Sequence, residues 1–203
     1  MPTDQRLHSP AADRNGGPIV QTLQRLLPTA GVLLEIASGT GQHAALAAAA
    51  MPAWRWHPSD ADEGALASIS AWCKAVPSVM TARLLDVMAA DWPAPKAVDA
   101  IFTANLLHIA PWPACAALMA GAARHLGAHG LLVLYGPFIV EGESPAASNL
   151  AFDADLRRRN PAWGVRRLDD VLEQAQAVGF GLQEKSAMPA NNLLLAFKRR
   201  PSG

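Results

Sequence analysis

Cysteine is scarce in this chain. Only Cys73 and Cys115 occur, both in stretches with helical apolar spacing and neither with a metal-type neighbour. That scarcity argues against a disulfide framework and leaves a buried, reduced thiol as the expected state of each. An excess of one charge is also missing. The 17 Lys and Arg residues balance 17 Asp and Glu, so no global field draws the chain toward nucleic acid or anionic membrane, and neither is expected as a partner. No apolar run approaches the roughly 18 residues of a membrane-spanning helix. The first thirty residues carry Asp4, Arg6, Asp13 and Arg14 in place of the apolar centre of a secretion signal. Internal repeats and low-complexity linkers are lacking too. These absences point to a cytoplasmic protein folded as one domain over residues 1–203, long enough to bury most of its unfolded surface around a single core.

What the chain does contain is an alternation of short apolar runs with longer helical stretches, the signature of a parallel sheet with crossover helices. Strands are expected at 32–36, 55–58, 79–85, 97–104 and 131–135, with helices at 42–51, 62–76 and 113–126 between them. Gly127 and Gly130 are expected to close the last of these helices. Between 136 and 163 the pattern changes to turn-forming and polar residues, which suits a lid or pocket wall. A helix at 168–178 then precedes strands at 182–186 and 193–198, and "PANN" between those two suggests a tight reversal and hence an antiparallel edge strand. The fold class is α/β, a doubly wound, mostly parallel sheet.

Strand ends carry the chemistry. "LLEIASGTGQH" joins an apolar strand to a loop, with Glu35, Ala37, Ser38, Gly39, Thr40 and Gly41 at the turn. In open α/β sheets ligands bind beyond the carboxyl ends of the strands, and glycines there let backbone come close to them. A pyrophosphate would be repelled by Glu35, whereas a nucleoside bearing an ammonium group would be attracted. Asp60 ends the second strand, where an acid can accept hydrogen bonds from both ribose hydroxyls, although "SDAD" followed by Glu63 also suits a helix cap. Asp86, with Val87, ends the third strand, within reach of an adenine amino group, and Asn105 ends the fourth. Four polar residues at four successive strand ends form a line that "GTG" alone would not justify.

These stretches resemble class I S-adenosylmethionine-dependent methyltransferases. Within that class the chain is similar to the family named for methyltransferase-like protein 26, through "SPAADRNGGPIV", "LEIASGTGQHA", "WHPSDAD", "NLLHIAPW", "YGPF", "SNLAFDADLRRRNPAWG" and "PANNLLLAFKR". The resemblance implies a Rossmann-like seven-stranded sheet with one antiparallel strand, and S-adenosylmethionine as cofactor. It implies no particular acceptor. Ala37 stands where the first glycine of the class's loop pattern often sits.

Proton chemistry, if needed, falls to His108 in "NLLHI" or to Tyr135 before Gly136. Each has a structural alternative: a helix-start histidine bonded to backbone, and a tyrosine that closes the core. Arg14, Asn15, Asn149, Asp153, Arg157, Asn191 and Asn192 are polar residues of the matching stretches and are assigned to the substrate side, with residues 1–20 and 136–163 closing over the site. Arg157 to Arg159 and Arg166 with Arg167 could recognise an anion, though a solvated helix face is the commoner outcome for such residues. No metal site is expected, because Gly127 and Gly130 break the helix that would align His125 with His129. The reading is methyl transfer by direct displacement to a small-molecule nucleophile. Its rivals are a noncatalytic S-adenosylmethionine-binding scaffold and a nicotinamide oxidoreductase, the latter disfavoured by Glu35 and by Ala44 where a third glycine would stand.

Overall fold

A computed structural model of the protein describes residues 4–200. The chain opens with a helix, α1 (Pro10–Leu26), capped by Ser9 and started by Pro10. The first strand, β1 (Gly31–Ile36), leads through the glycine loop into α2 (Gln42–Ala50). Then come β2 (Trp54–Asp60), α3 (Glu63–Cys73), a short β3 (Arg83–Leu84), β4 (Val98–Ala104), α4 (Pro113–His125) and β5 (Leu126–Gly136). Two-residue strands β6 (Phe138–Ile139) and β7 (Arg166–Arg167) pair with each other and flank α5 (Ala147–Arg159). The chain ends with α6 (Leu168–Ala177), β8 (Phe180–Met188) and β9 (Asn192–Arg199).

The seven-stranded sheet has the order β3-β2-β1-β4-β5-β9-β8. All neighbours are parallel up to β5; β9 then runs antiparallel to both β5 and β8, so the reversed strand sits one place in from the edge. Continuous apolar runs make the central strands because both of their faces are covered. Leu34, Ile36, Ile101 and Leu132 point to one core with Leu118 of α4 and Val171 of α6. Leu33, Phe102 and Val133 point to the other, with Leu23 of α1, Ala47 of α2 and Ile69 of α3.

Two local expectations shift and a third holds. The third strand pairs only at Val79 and at Arg83–Leu84, leaving a short, exposed edge. Gly127 and Gly130 lie within β5 rather than closing α4, and the register slips between Val98 and Ala100 opposite them. The "PANN" reversal contains Ala190 and Asn191 at φ of 58° and 57°, the left-handed conformation that turns the chain back on itself. Both cysteines are free and buried on α3 and α4, and burial pushes each thiol up to about 12.

Candidate functional site

The strand order has its reversal between β1 and β4, and a cleft of about 810 Å³ opens beside it, at the carboxyl ends of the strands. One wall is the glycine loop, at Ala37, Gly39 and Thr40; the acids on it are Asp60, Asp62 and Asp86, and Leu85, Val87 and Ile109 are among its apolar lining. Among the described residues no Lys, Arg or His lines it. Of the expected cofactor residues, the structure therefore brings Ala37, Gly39, Thr40, Asp60, Asp86 and Val87 to one surface.

Backbone geometry accounts for the loop's shape. Ala37, Gly39 and Gly41 all have positive φ, at 56°, 57° and 89°. An alanine in that region costs roughly 1–2 kcal/mol that a glycine would not, so the Ala37 substitution is strained rather than excluded. Gly41 is needed for a further reason: a Cβ there would lie 2.6 Å from the Ile69 backbone, where α2 crosses α3.

The carboxylates divide their work. The Asp62 side chain caps α3, accepting from the Gly64 N–H at 2.9 Å. That frees Asp60 from capping. Its Oδ2 accepts from the Gly39 N–H at 2.8 Å and its Oδ1 from the Asp62 N–H at 2.9 Å. A carboxylate has about four acceptor positions, so about half of its capacity is left for a ligand in the cleft it lines. Asp86 Oδ1 accepts from the Met88 N–H at 2.8 Å, which leaves its second oxygen for a donor. Glu35 is placed differently. It is 1% exposed, lies beneath the loop rather than on the cleft wall, and its Oε2 accepts from Trp56 Nε1 at 2.6 Å. Burial, opposed by hydrogen bonds from Trp56 and Ser38, raises its pKa to about 7. Ser38 is also buried under the loop, where its hydroxyl accepts from the Ser59 N–H at 3.3 Å.

A second cavity, of about 270 Å³, gathers residues far apart in sequence: Arg14 and Asn15 of α1, Asn105, Tyr135, Asn149 of α5 and Asn192. Asn105 thus belongs here rather than to the larger cleft, whose wall carries its neighbour Leu106. The Asn105 backbone is left-handed (φ 63°), and its N–H donates to the Tyr135 carbonyl at 2.8 Å. Asn191 lies in an adjoining hollow with Asn149 and Asn192; its carbonyl accepts from Asn149 Nδ2 at 3.0 Å, and its own Nδ2 donates to Ser148 Oγ at 3.2 Å. Of the five non-glycine residues with positive φ among those described, Ala37, Asn105, Ala190 and Asn191 border these three spaces. Backbone strain of this kind concentrates at ligand sites.

Three expected site residues are placed elsewhere. His108 has no exposure, its ring packs edge-on to Phe138 with centroids 5.2 Å apart, and a Cβ on Gly136 would lie 2.4 Å from its Nε2. Burial, with Arg166 nearby, lowers its pKa to about 3, and neither ring nitrogen has a partner among the described residues. It therefore lacks the access a proton acceptor for a bound substrate requires. Asp153 and Arg157 pair with each other at 2.8 Å, and Asp153 Oδ1 also accepts from the Val165 N–H at 2.7 Å. They brace the turn around Gly164 and belong to the lining of neither cavity described above.

Sequence reasoning missed two contributors. His43, in the first turn of α2, donates from Nε2 to Asn15 Oδ1 at 2.7 Å, and burial lowers its pKa to about 4. Gln42 accepts from the Ser9 N–H at 2.6 Å and donates to Asp13 at 2.6 Å, tying α1 to the glycine loop. Both lie directly after "GTG", the only sequence signal that marks them.

The architecture is that of known methyltransferases. An O-methyltransferase family protein from Burkholderia thailandensis superposes with a TM-score of 0.80 at 14% identity, over 95% of this chain and 58% of that one. The mitomycin 7-O-methyltransferase MmcR gives 0.79 at 15%, over 94% and 54%. CalO1, a methyltransferase in calicheamicin biosynthesis solved in its S-adenosylhomocysteine-bound form, gives 0.74 at 14%, over 91% and 54%. The chain spans little more than half the length of these proteins and shares with them the Rossmann-like methyltransferase fold. Residues 6–199 match the family described as a protein of unknown function, DUF938, and the chain belongs to that family. Among the described residues no helix is long and apolar enough to cross a membrane.

Proposed function

We propose that the chain binds S-adenosylmethionine in the larger cleft and directs its methyl group to a small-molecule acceptor. The observation that carries this reading is the cleft's charge: Asp60, Asp62 and Asp86, with no cationic side chain among the described residues. A diphosphate is repelled by such a wall, whereas a ligand carrying a sulfonium and an ammonium is attracted. The residues present also fit the nucleoside. The free acceptor capacity of Asp60 suits a ribose diol, and Asp86 stands beside apolar walls at Leu85, Val87 and Ile109 that suit an adenine.

Bound there, the cofactor supplies an activated methyl group and carries the intrinsic reactivity. The protein's own part is alignment and exclusion of water. The loop from Ala37 to Thr40 brings backbone close, Asp60 orients, and Leu106 and Ile109 keep the mouth apolar. The sequence likeness to the methyltransferase-like protein 26 family supports the same reading. A noncatalytic binding protein is the second reading, favoured by one observation: His108 is sealed off and burial raises the Tyr135 phenol, leaving no strong base at either cavity.

Calorimetric titration with S-adenosylhomocysteine and with NADH tests the reading. S-adenosylhomocysteine is expected to bind and NADH to be ignored. Asp60→Ala is expected to lose at least about tenfold in affinity, since hydrogen bonds to a charged group are worth about 1.5–3 kcal/mol. Preference for NADH, or wild-type affinity in the variant, overturns it.

A further inference from the structure

Polar side chains from several separate stretches line the smaller cavity, yet among the described residues no acid does. Among the described residues its one cation is Arg14, an exposed side chain at its rim. Other arginines that could meet an anion are engaged: Arg157 with Asp153, Arg158 with Asp155, Arg167 with Glu141, and Arg166 with the carbonyls of Leu107, Ala110 and Ala162 at 2.8, 2.7 and 2.9 Å. Arg14 has no acid or carbonyl partner among the described residues. Tyr135, 2% exposed, shares the lining; among the described residues its hydroxyl has no hydrogen-bond partner of good geometry, and the Asn15 side chain is the polar group close enough to act on it. A buried hydroxyl left unpaired is costly to the fold. Asn15, with its oxygen engaged by His43, presents its NH2 group to this space beside the Tyr135 hydroxyl. Guanidinium, phenol and amide are all donors.

We infer that this cavity is the acceptor site and that it takes a small carboxylic acid as its anion, held by Arg14 and by the Tyr135 hydroxyl. At about 270 Å³ it falls just below the ~300–1,000 Å³ of pockets that enclose drug-sized ligands, so the acid is small. The inference rests on the methyl-transfer reading and deepens it, because a carboxylate explains the lack of a base. Transfer to a carboxylate oxygen forms one carbon–oxygen bond from an oxygen lone pair and breaks the donor's carbon–sulfur bond, whose electron pair stays on sulfur. The anion and the sulfonium neutralise each other, giving a methyl ester and a thioether. No proton moves.

Benzoate, benzamide and benzylamine, matched in shape and differing in charge, serve as probes by calorimetry on the protein without cofactor. Benzoate is expected to bind and the other two not. Arg14→Gln is expected to lose at least tenfold in benzoate affinity with S-adenosylhomocysteine binding unchanged. Tyr135→Phe is expected to weaken benzoate several-fold without lowering the unfolding temperature, since it removes an unpaired buried group; a purely structural tyrosine would do the reverse. Equal binding of benzylamine or benzamide, or indifference of benzoate to Arg14→Gln, overturns the carboxylate assignment. Failure of S-adenosylhomocysteine to bind while benzoate still depends on Arg14 overturns the methyl-transfer reading instead and leaves an anion site.

Discussion

At the scale of single residues, Glu35 shows how burial turns a carboxyl into a pH-dependent element of stability. Its pKa rises from 4.5 to about 7 through burial, so the folded state holds the proton more tightly than the unfolded chain does. The associated stabilisation is fully present below about pH 4.5 and is lost as pH rises through about 7, amounting to about 3 kcal/mol. His43 and His108 act in the opposite sense, because burial depresses them from 6.5 to about 4 and about 3 and their contribution is lost as pH falls. Wild-type stability therefore mixes the slopes, and a difference measurement separates them. Relative to wild type, Glu35→Gln is expected to gain up to about 3 kcal/mol between pH 4.5 and about pH 8 in urea unfolding, because the amide cannot ionise while its oxygen still accepts from Trp56. A difference that stays constant across that range would show that Glu35 titrates as an ordinary carboxyl.

At the scale of elements, the glycine loop and α2 are fixed by two positions with different demands. Gly39 and Gly41 both have positive φ, at 57° and 89°, but a Cβ at Gly39 meets open space, whereas one at Gly41 meets the Ile69 backbone at 2.6 Å. Gly39→Ala is expected to cost only the left-handed penalty of roughly 1–2 kcal/mol. Gly41→Ala must also push α2 from α3, so it is expected to unfold at clearly lower urea concentration and to weaken S-adenosylhomocysteine as the loop moves. Equal destabilisation by the two substitutions would mean that the helix crossing places no steric demand on the loop. Much of this element was legible: "GTG" between an apolar strand and an alanine-rich run marks a strand, a tight turn and a helix. The helix before it was not. α1 carries Gly16, Gly17 and Pro18 in its interior, residues that read as a break, and it holds only because Ile19, Val20 and Leu23 are buried and Gly16 lets Leu46 of α2 come close.

At the scale of the whole molecule, legibility follows sequence distance. The larger cleft could be read because parallel topology sets strand ends side by side, so Asp60 and Asp86 mark a surface once the strands are found. The smaller cavity draws on α1, α5, the ends of β4 and β5, and the turn before β9. Its polar residues could be named from sequence, but only packing shows which of them meet: Arg14, Asn15, Asn149 and Asn192 do, while Asp153 and Arg157 neutralise each other four residues apart on α5. The cleft joins the glycine loop, the cap of α3, the end of β3 and the turn after β4 into one wall, with the segments held through both cores. A ligand seated there acts on cooperative unfolding rather than on one loop. At a free concentration of 100 times its Kd, S-adenosylhomocysteine is expected to stabilise the fold by about 2.7 kcal/mol. For a domain of this size each kcal/mol moves Tm by about 2–4 °C, so a rise of about 5–10 °C should be read by differential scanning calorimetry. The Asp60→Ala protein at the same concentration, far less saturated, should show a smaller rise, and NADH none, because its diphosphate faces Asp60, Asp62 and Asp86 without a cation between them. An equal rise with NADH would place the ligand somewhere other than against those three carboxylates.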